Sequence, residues 1–449
     1  IKCIEDEIPF EVPEGWAWCK LNDIYNFIDY RGATPTKITN GIPLVTAKNV
    51  KSGYIDYTID DYISEEEFKE RQQRGISKKG DILFTTEAPL GNAALADMEK
   101  FSAGQRLITF QQYGSKNELI NYVMLMFILS DFFQQQLYVN KTGSTVAGIK
   151  AAILKTLWIP VPPYNEQLRI SNTLKSAINL IDSISKNKEI LSTSISNTKS
   201  KILDLAIRGK LVPQDPNDEP ASVLLERISA EKEELIKQGK IKRDKKESVI
   251  FKGDDNSYYL RTGRVEESLE DWRFDDLPET WKICCLGELC DYGDCINVNT
   301  EDIAEDAWIL DLEDIEKDTG TVLKKVTKDQ RNSVSTKHKF HSGQVLYSKL
   351  RPYLNKVVLS DADGYCTSEI LPLEFKNCVL PEYARYYLMS GTFIAYANHC
   401  SYGVKMPRLG TTDGKKAIFS LPPLSEQKRI VETIDFCFVQ LNKISEALA

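Results

Sequence analysis

The sequence predicts an α+β protein in which two tandem-repeated α/β domains are separated by long antiparallel coiled-coil helices, with pseudo-two-fold symmetry. Three observations lead to this prediction. A Pro-Pro turn followed by Glu-Gln occurs at residues 162–167 and again at residues 422–427. An apolar seam follows each copy, and a similar succession of strands and turns precedes each copy.

The first long helix is predicted to run from the Pro-Pro turn to about Gly209. Proline is tolerated in a first helical turn, and an acidic residue there complements the helix dipole. Steps of three and four residues form a heptad seam, so we expect this helix to pack against another helix along its length. At about 1.5 Å per residue it would be roughly 65 Å long. The seam consists of Leu174, Ala177, Ile181, Ile184, Lys188, Leu191, Ile195, Thr198, Ile202 and Leu205.

The second seam has the same phase after its Pro-Pro turn, and it is the expected partner of the first. It consists of Ile430, Ile434, Cys437, Leu441, Ile444 and Leu448. The sequence stops at residue 449, well short of the length of the first helix. Either the chain is truncated at this point or the second helix is naturally shorter.

The repeat extends over the whole of each unit, because its segments recur in the same order at nearly constant spacing. The matched segments are 12–24 with 277–289, 80–92 with 343–355, and 142–163 with 402–423. Short strands bounded by Gly, Pro and Lys are predicted at 42–46, 81–85 and 107–110, and at 308–312, 344–347 and 370–373. One helix is expected after the strands of each unit, at residues 119–138 and 381–397.

The segment between the units has a different composition. Residues 209–220 are rich in turn formers, residues 222–238 predict a charged amphipathic helix, and the Lys- and acid-rich residues 239–256 predict a mobile linker.

The composition is that of an ordinary globular protein, with 42% hydrophobic residues. The most apolar run, residues 122–129, is too short for a membrane span and predicts a core helix. No signal peptide is visible, and a first residue other than Met fits a trimmed chain. Ten scattered cysteines without paired CxxC spacing favour free thiols in a reducing cytoplasm.

Catalysis and metal binding are not expected of this chain. Residues 161–164 superficially resemble the Asn/Asp-Pro-Pro-Tyr motif of amino-methyltransferases, but Val161 cannot accept a proton from an amino group. The other copy has Leu421 at that position, so the motif is interpreted as a helix-starting turn. There is no P-loop spacing and no nucleophile–base arrangement, and the close pair His338 and His341 is a weak metal candidate.

Basic residues recur at equivalent places in the two units, before the strands that begin at Gly80 and Gly343. On composition alone, such runs are interpreted as solvated surfaces. Because they recur in both units, nucleic-acid binding becomes about as good an interpretation. The formal net charge of −8 disfavours stand-alone binding, since phosphate contacts supply much of the affinity for nucleic acid. Local basic surfaces or those of a partner would therefore be required.

The chain resembles the specificity (S) subunits of type I restriction–modification systems over essentially all of its 449 residues. The resemblance is carried by residues 8–16, 29–35 and 41–49 and by both Pro-Pro-x-x-Glu-Gln turns. Its most specific part is Ala-Ile-Arg-Gly-Lys-Leu-Val-Pro-Gln-Asp-Pro-Asn-Asp-Glu-Pro-Ala at residues 206–221.

The resemblance implies five segments. They are target recognition domain 1 at 1–161, spacer helix 1 at 162–208, a connector for partner docking at 209–272, target recognition domain 2 at 273–421, and spacer helix 2 at 422–449. Each domain would read one half of a bipartite, asymmetric DNA site, and the helices would set the distance between the half-sites.

The implied partners are double-stranded DNA, two methyltransferase (M) subunits and motor-nuclease (R) subunits. The M subunits would bind S-adenosylmethionine and methylate adenine, and the R subunits would cleave unmodified DNA. No cofactor is expected on this chain, no membrane is involved, and the complex would be cytoplasmic. Methyltransferase contacts are expected on the outer faces of the two helices and on residues 213–238.

Candidate DNA-binding residues follow from their predicted loop positions. In the first unit they are Arg31, Thr34, Lys37, Lys48, Asn49, Arg74, Lys78, Thr86, Glu87, Ser144 and Thr145. In the second unit they are Arg331, Lys337, Lys349, Arg351, Tyr353, Lys405 and Arg408. For each of them, the competing interpretation is an ordinary surface residue or a helix cap.

Two alternatives remain open. The chain could be the recognition region of a single-chain or two-chain type II restriction-methylation enzyme, and methylation by the purified chain alone would favour this. It could also be a coiled-coil adaptor without a DNA role, which normal DNA specificity after charge reversal at Lys349 and Arg351 would favour.

Overall fold

The computed structural model describes residues 8–30, 34–58, 61–113, 119–143, 147–240, 248–255, 257–269, 277–331 and 334–448. The chain forms two compact units, residues 1–185 and 186–449. The boundary falls inside the long helix. Among the described residues, no helix is both long and apolar enough to cross a membrane.

The first unit is α+β, as predicted. Its strands are β1 (Ala17–Lys20), β2 (Tyr25–Asp29), β3 (Ile42–Val45), β4 (Tyr62–Ile63), β5 (Ile82–Thr85), β6 (Ala93–Leu95), β7 (Ser102–Ala103), β8 (Leu107–Gln112) and β9 (Trp158–Val161). Its helices are α1 (Leu21–Ile24), α2 (Glu65–Arg71), α3 (Asn121–Leu129), α4 (Asp131–Val139), α5 (Ala151–Leu154) and the beginning of α6 (Tyr164–Ile207).

A four-stranded sheet in the order β2-β8-β5-β6 forms the centre of this unit, with antiparallel pairing throughout. The three strands predicted for this unit are confirmed within one or two residues, β5 and β8 in this sheet and β3 in the smaller sheet β4-β3-β7. The side chains of β5 are buried on both faces, because α3 and α4 cover one face and the smaller sheet β4-β3-β7 covers the other. The register is fixed by pairs such as Phe84 with Ile108.

The second unit repeats this pattern. Its strands are β10 (Ser248–Lys252), β11 (Tyr258–Thr262), β12 (Val265–Ser268), β13 (Lys282–Cys285), β14 (Ile296–Val298), β15 (Trp308–Leu310), β16 (Val326–Thr327), β17 (Lys337–Phe340), β18 (Val345–Ser348), β19 (Val357–Leu359), β20 (Gly364–Thr367), β21 (Ile370–Leu373) and β22 (Ile418–Leu421). Its helices, after the end of α6, are α7 (Ala221–Lys237), α8 (Leu286–Leu289), α9 (Pro381–Leu388), α10 (Gly391–His399), α11 (Thr411–Lys416) and α12 (Leu424–Leu448).

The sheets of the second unit match those of the first in their core strands. The order β19-β18-β21 corresponds to β6-β5-β8, and β13-β22 corresponds to β1-β9. A five-stranded sheet, β14-β17-β20-β15-β16, replaces the smaller sheet of the first unit. The framework of the duplicated unit is therefore kept, and its periphery differs.

The prediction of a single helix after the strands of each unit is wrong. The structure has two helices there, α3 and α4 in the first unit and α9 and α10 in the second. Ser130 and Ser390 break the run, because each adopts an extended backbone and its hydroxyl accepts a hydrogen bond from the amide three residues later.

The prediction of a mobile linker at residues 239–256 is wrong for the second half of that segment. Residues 248–252 form β10, the first strand of the antiparallel meander β10-β11-β12. Ile250 and Leu260 of this meander are buried against Ile283, Cys285 and Ile418. Residues 241–247 lie outside the described part of the chain. The helix predicted at 222–238 is confirmed as α7.

The C-terminal half of α6 packs against α12 in an antiparallel sense, within the second unit. Leu203 and Ile207 share one core with Ile430 and Ile434. Nearer the other end of α12, Lys199 Nζ donates a 2.6 Å hydrogen bond to Asn442 Oδ1. As residue numbers rise along α6 they fall along α12, which gives the predicted antiparallel direction.

The expectation that the first seam is covered along its length is wrong. Ile190 and Leu191 are 54% and 40% exposed, and Leu180, Ile181 and Ile184 are also exposed. Among the described residues, the hydrogen bond between Lys199 and Asn442 joins the two helices at the N-terminal side of the shared core.

Candidate nucleic-acid interface

Both units close on the same hydrogen bond between a tryptophan and the glutamate of the Glu-Gln turn. Trp16 Nε1 donates to Glu166 Oε2 at 3.0 Å, and Trp281 Nε1 donates to Glu426 Oε2 at 2.9 Å. Burial raises the pKa of Glu426, while the Trp281 donor acts in the opposite direction. These bonds tie the entry strand of each unit to the first turn of the helix that follows it.

The neighbouring glutamine connects the same turn to the helix pair. Gln167 Oε1 accepts from the Ile120 amide, and Gln427 Oε1 accepts from the Leu380 amide, both at 2.8 Å. Both glutamines are almost fully buried. The Glu-Gln turn is therefore a structural joint between the start of each unit, its helix pair and the helix that follows.

The turn after β5 in the first unit packs against two neighbouring loop segments, and we call this group the first corner (residues 86–88, 105–106 and 148). The carbonyl of Arg106 accepts from the Thr86 amide at 2.9 Å and from its hydroxyl at 3.1 Å. The Thr86 carbonyl accepts from the Ile149 amide at 3.0 Å, and Glu87 forms a bridge with Gly148.

The second unit has an equivalent second corner (residues 349–351, 368–369 and 408). The Lys349 amide donates to the Glu369 carbonyl, and the Lys349 carbonyl accepts from the Leu409 amide, both at 3.0 Å. Leu350 forms a bridge with Arg408. The backbone of the two corners is thus matched bond for bond.

A left-handed residue precedes a proline at the same place in both corners. Ala88 has φ 48° before Pro89, and Arg351 has φ 51° before Pro352. Non-glycine residues seldom adopt this conformation, and those that do are concentrated at functional sites. The duplicated corner therefore keeps an unusual backbone shape while its side chains differ.

The first corner borders a cavity of about 190 Å³ with a basic rim. Thr34, Lys37 and Lys48 line this cavity together with Gln105 and Arg106. The structure thus brings three of the sequence-predicted residues to one place. Two further candidates, Thr86 and Glu87, belong to the corner beside it.

The remaining candidates of the first unit are dispersed. Asn49 is 3% exposed and its side chain caps a turn at Thr46, so it lacks the expected surface position. Thr86 is also buried, and its hydroxyl donates a hydrogen bond to the Arg106 carbonyl. Arg74 and Lys78 are exposed. Arg31, Ser144 and Thr145 lie outside the described residues.

In the second unit, Lys349, Arg351 and Arg408 meet at the second corner, and Tyr353 follows it with 48% exposure. Arg408 donates to Glu369 through Nε and Nη2, and these hydrogen bonds raise the pKa of Arg408. Lys405 is exposed on the hairpin that Tyr402 and Arg408 close.

Two candidates of the second unit do not expose their side chains. Lys337 lies in β17 and is 2% exposed, and its Nζ donates to Ser335 Oγ at 2.8 Å. Arg331 is held by Asp311 and by Asp314, whose Oδ2 lies 2.7 Å from Arg331 Nη2. A charged run in the sequence does not reveal that the acidic partners are supplied by the turn that follows β15.

Sequence reasoning missed Gln105, Arg106 and Glu369. The signal that could have found them is their position directly before β8 and β21. These strands follow the aligned segments 80–92 and 343–355 in the two units. Among the described residues, no group of three or more His, Cys, Asp or Glu is placed to hold a metal ion.

The family model of the type I restriction modification DNA specificity domain matches residues 13–192 and 278–447. The EcoAI specificity subunit of Escherichia coli is 26% identical over 513 aligned residues, which cover 98% of this chain and 80% of that protein. The EcoEI specificity subunit of Escherichia coli is 24% identical, with 100% and 82% covered.

Two solved structures have a similar fold. One, from work on complex assembly and conformational transition of the type I R-M system, has a TM-score of 0.59 and 16% identity, with 98% of this chain and 94% of that chain covered. The other is the HsdS subunit from Thermoanaerobacter tengcongensis, with a TM-score of 0.53, 15% identity, and 98% and 93% covered. At these identities the similarity concerns the fold.

Proposed function

The chain belongs to the type I restriction-modification DNA specificity family, and on that premise we propose that its two units read the two different halves of a bipartite DNA target. It is a DNA-recognition subunit of a type I system. One unit serves each half-site, and the helices that follow the units set the unspecified distance between the halves.

The observation that carries this proposal is the combination of a matched backbone with unmatched side chains at the two corners. The carbonyls of Arg106 and Glu369 accept equivalent backbone hydrogen bonds from the amides of Thr86 and Lys349, yet one side chain is a cation and the other a carboxylate. Base edges are distinguished by side-chain chemistry, so one scaffold position with two chemistries suits two different half-sites. An asymmetric target follows.

The chain is proposed to act without catalysing a step itself. Methylation would belong to two methyltransferase (M) subunits that bind S-adenosylmethionine, and cleavage would belong to motor-nuclease (R) subunits. The net charge of −8 supports the need for such partners, because they would supply part of the positive surface that encloses DNA. The complex would act in the cytoplasm.

Docking of the M subunits is proposed on α6, α12 and residues 213–238. Exposed apolar side chains on α6, such as Ile181 and Ile184, support this, since contiguous exposed apolar surface is typical of interaction sites. The relatives reported above are specificity subunits, which favours this proposal over the recognition region of a type II restriction-methylation enzyme.

The test is selection from random duplex DNA by the full chain reconstituted with its methyltransferase subunit. Two short, different motifs at one fixed spacing are expected. The methyltransferase subunit alone is the control and should recover neither motif. A single continuous motif, or none, would show that the two units are not independent readers.

A further inference from the structure

Each corner carries one Arg–Glu ion pair, but the two pairs are built from different chain positions. In the first corner, Arg106 Nε lies 3.0 Å from Glu87 Oε1. In the second, Arg408 Nη2 lies 2.7 Å from Glu369 Oε1. Arg106 and Glu369 occupy the same framework position, directly before β8 and β21, so the charge at that position is reversed.

Folding of the corner does not explain the first of these pairs. The side chains of Arg106 and Glu87 are 56% and 43% exposed, and ion pairs at such sites contribute little to stability. The backbone hydrogen bonds from Thr86 already hold the turn. Arg106 moreover has φ 64°, a conformation that costs energy for any residue except glycine. The Arg106–Glu87 pair is therefore exposed and conformationally costly, and it has a role other than holding the corner.

The chemistry of the pair matches one base pair. An arginine donates two hydrogen bonds to O6 and N7 of guanine, and a carboxylate accepts one from N4 of cytosine. O6 and N4 are hydrogen-bonded to each other in a G·C pair, so they lie about 3 Å apart. The Arg106–Glu87 pair likewise holds a donor group beside an acceptor group, with Nε 3.0 Å from Oε1.

We propose that each ion pair reads one G·C base pair in the major groove, with Arg106 and Arg408 on guanine and Glu87 and Glu369 on cytosine. This inference rests on the proposed function. The carboxylate also holds its arginine in one orientation before DNA arrives, which lowers the entropy lost on binding. Lys48, which is exposed and lines the cavity beside Arg106, is placed to contact a flanking phosphate, whereas Lys37 Nζ lies 2.7 Å from Asp61 Oδ2.

The charge reversal gives the proposal its sharpest consequence. In the first corner the arginine comes from the position before β8, and in the second the glutamate comes from the position before β21. If the two corners approach the groove alike, guanine and cytosine exchange strands between the half-sites. Each half-site should therefore contain one obligatory G·C pair, with opposite orientation relative to the unit that reads it.

The experiment is selection from random duplex DNA by the full chain with its methyltransferase subunit, comparing wild type with Arg106→Ala, Glu87→Ala and Arg408→Ala. Arg106→Ala and Glu87→Ala should relax the same single G·C position of one half-site, by roughly 5- to 150-fold in preference. Arg408→Ala should relax one position of the other half only. Arg106→Lys keeps the charge, so its affinity should fall less than its specificity.

Lys100→Gln is the matched control, because Lys100 and Glu65 form an ion pair of similar exposure outside the corner. This substitution should leave the base preference at every position of the target unchanged. Unchanged preferences in both Arg106→Ala and Glu87→Ala, or relaxation at two different positions, would overturn the inference while leaving the bipartite target intact. If wild type itself selects no bipartite motif, the proposed function fails and this inference fails with it. Should an alanine variant not fold, Arg106→Lys provides the same comparison.

Discussion

Trp281 donates a hydrogen bond to the fully buried carboxylate of Glu426, and this pair joins the first strand of the second repeat to the first turn of α12. The equivalent pair in the first unit, Trp16 and Glu166, is only partly buried. The same bond therefore serves in two environments of different polarity. Its contribution to stability should differ between the units.

Trp281→Phe should lower the free energy of unfolding by about 1–3 kcal/mol, because a buried carboxylate loses a donor that no water replaces. Trp16→Phe is the matched control and should cost less, since water can reach Glu166. Urea unfolding of both variants measures the difference. Equal losses would contradict the role assigned to burial.

Glu426→Gln should become more stable relative to wild type as the pH rises. Burial raises the folded-state pKa of Glu426 above its unfolded value, so its favourable contribution is present below the unfolded pKa of about 4.3 and is lost as the pH rises through the folded pKa. Unfolding free energies of the two proteins across this range provide the test. A difference that does not change with pH would show that Glu426 is not strained by burial.

Asp218→Asn should have the opposite pH dependence. The hydrogen bond from Arg429, at 2.6 Å, lowers the pKa of Asp218, so its contribution is present above the unfolded pKa of about 3.9 and is lost as the pH falls through the folded pKa. At neutral pH the substitution should cost about 1–2 kcal/mol. Glu219→Gln breaks the more exposed pair with Arg227, and a cost as large as that of Asp218→Asn would contradict this reasoning.

Lys405→Met should weaken DNA binding by the reconstituted complex and reduce the slope of log affinity against log salt by about 0.9, as expected for one lost phosphate contact. Lys337→Met should leave that slope unchanged, because Lys337 is buried in β17. Binding isotherms at several salt concentrations measure both slopes. A changed slope for Lys337→Met would return that residue to the interface.

The sequence predicted the framework because the framework depends on patterns that survive duplication. The Glu-Gln turn recurs since Glu166, Gln167 and their counterparts make the same specific hydrogen bonds in both units. The strands before and after each corner recur because their side chains are buried on both faces. Local periodicity and repetition report such constraints directly.

The candidate site was less predictable because its geometry depends on residues far apart in the sequence. The position of Arg106 is set by Thr86, and the burial of Lys337 is set by the strands on either side of β17. Neither relationship has a local signature. The breaks at Ser130 and Ser390 did have one, since serine is a common helix N-cap, but the apolar pattern continued across them.

Exchange of residues 12–160 for the equivalent segment of another specificity subunit is the most direct test of two independent readers. The hybrid chain, reconstituted with its methyltransferase subunit, should methylate sites in which one half of the target is new and the other half and the spacing are unchanged. Sequencing of the methylated positions reads both halves at once. A change in both halves, or in the spacing, would contradict the assignment of one half-site to each unit.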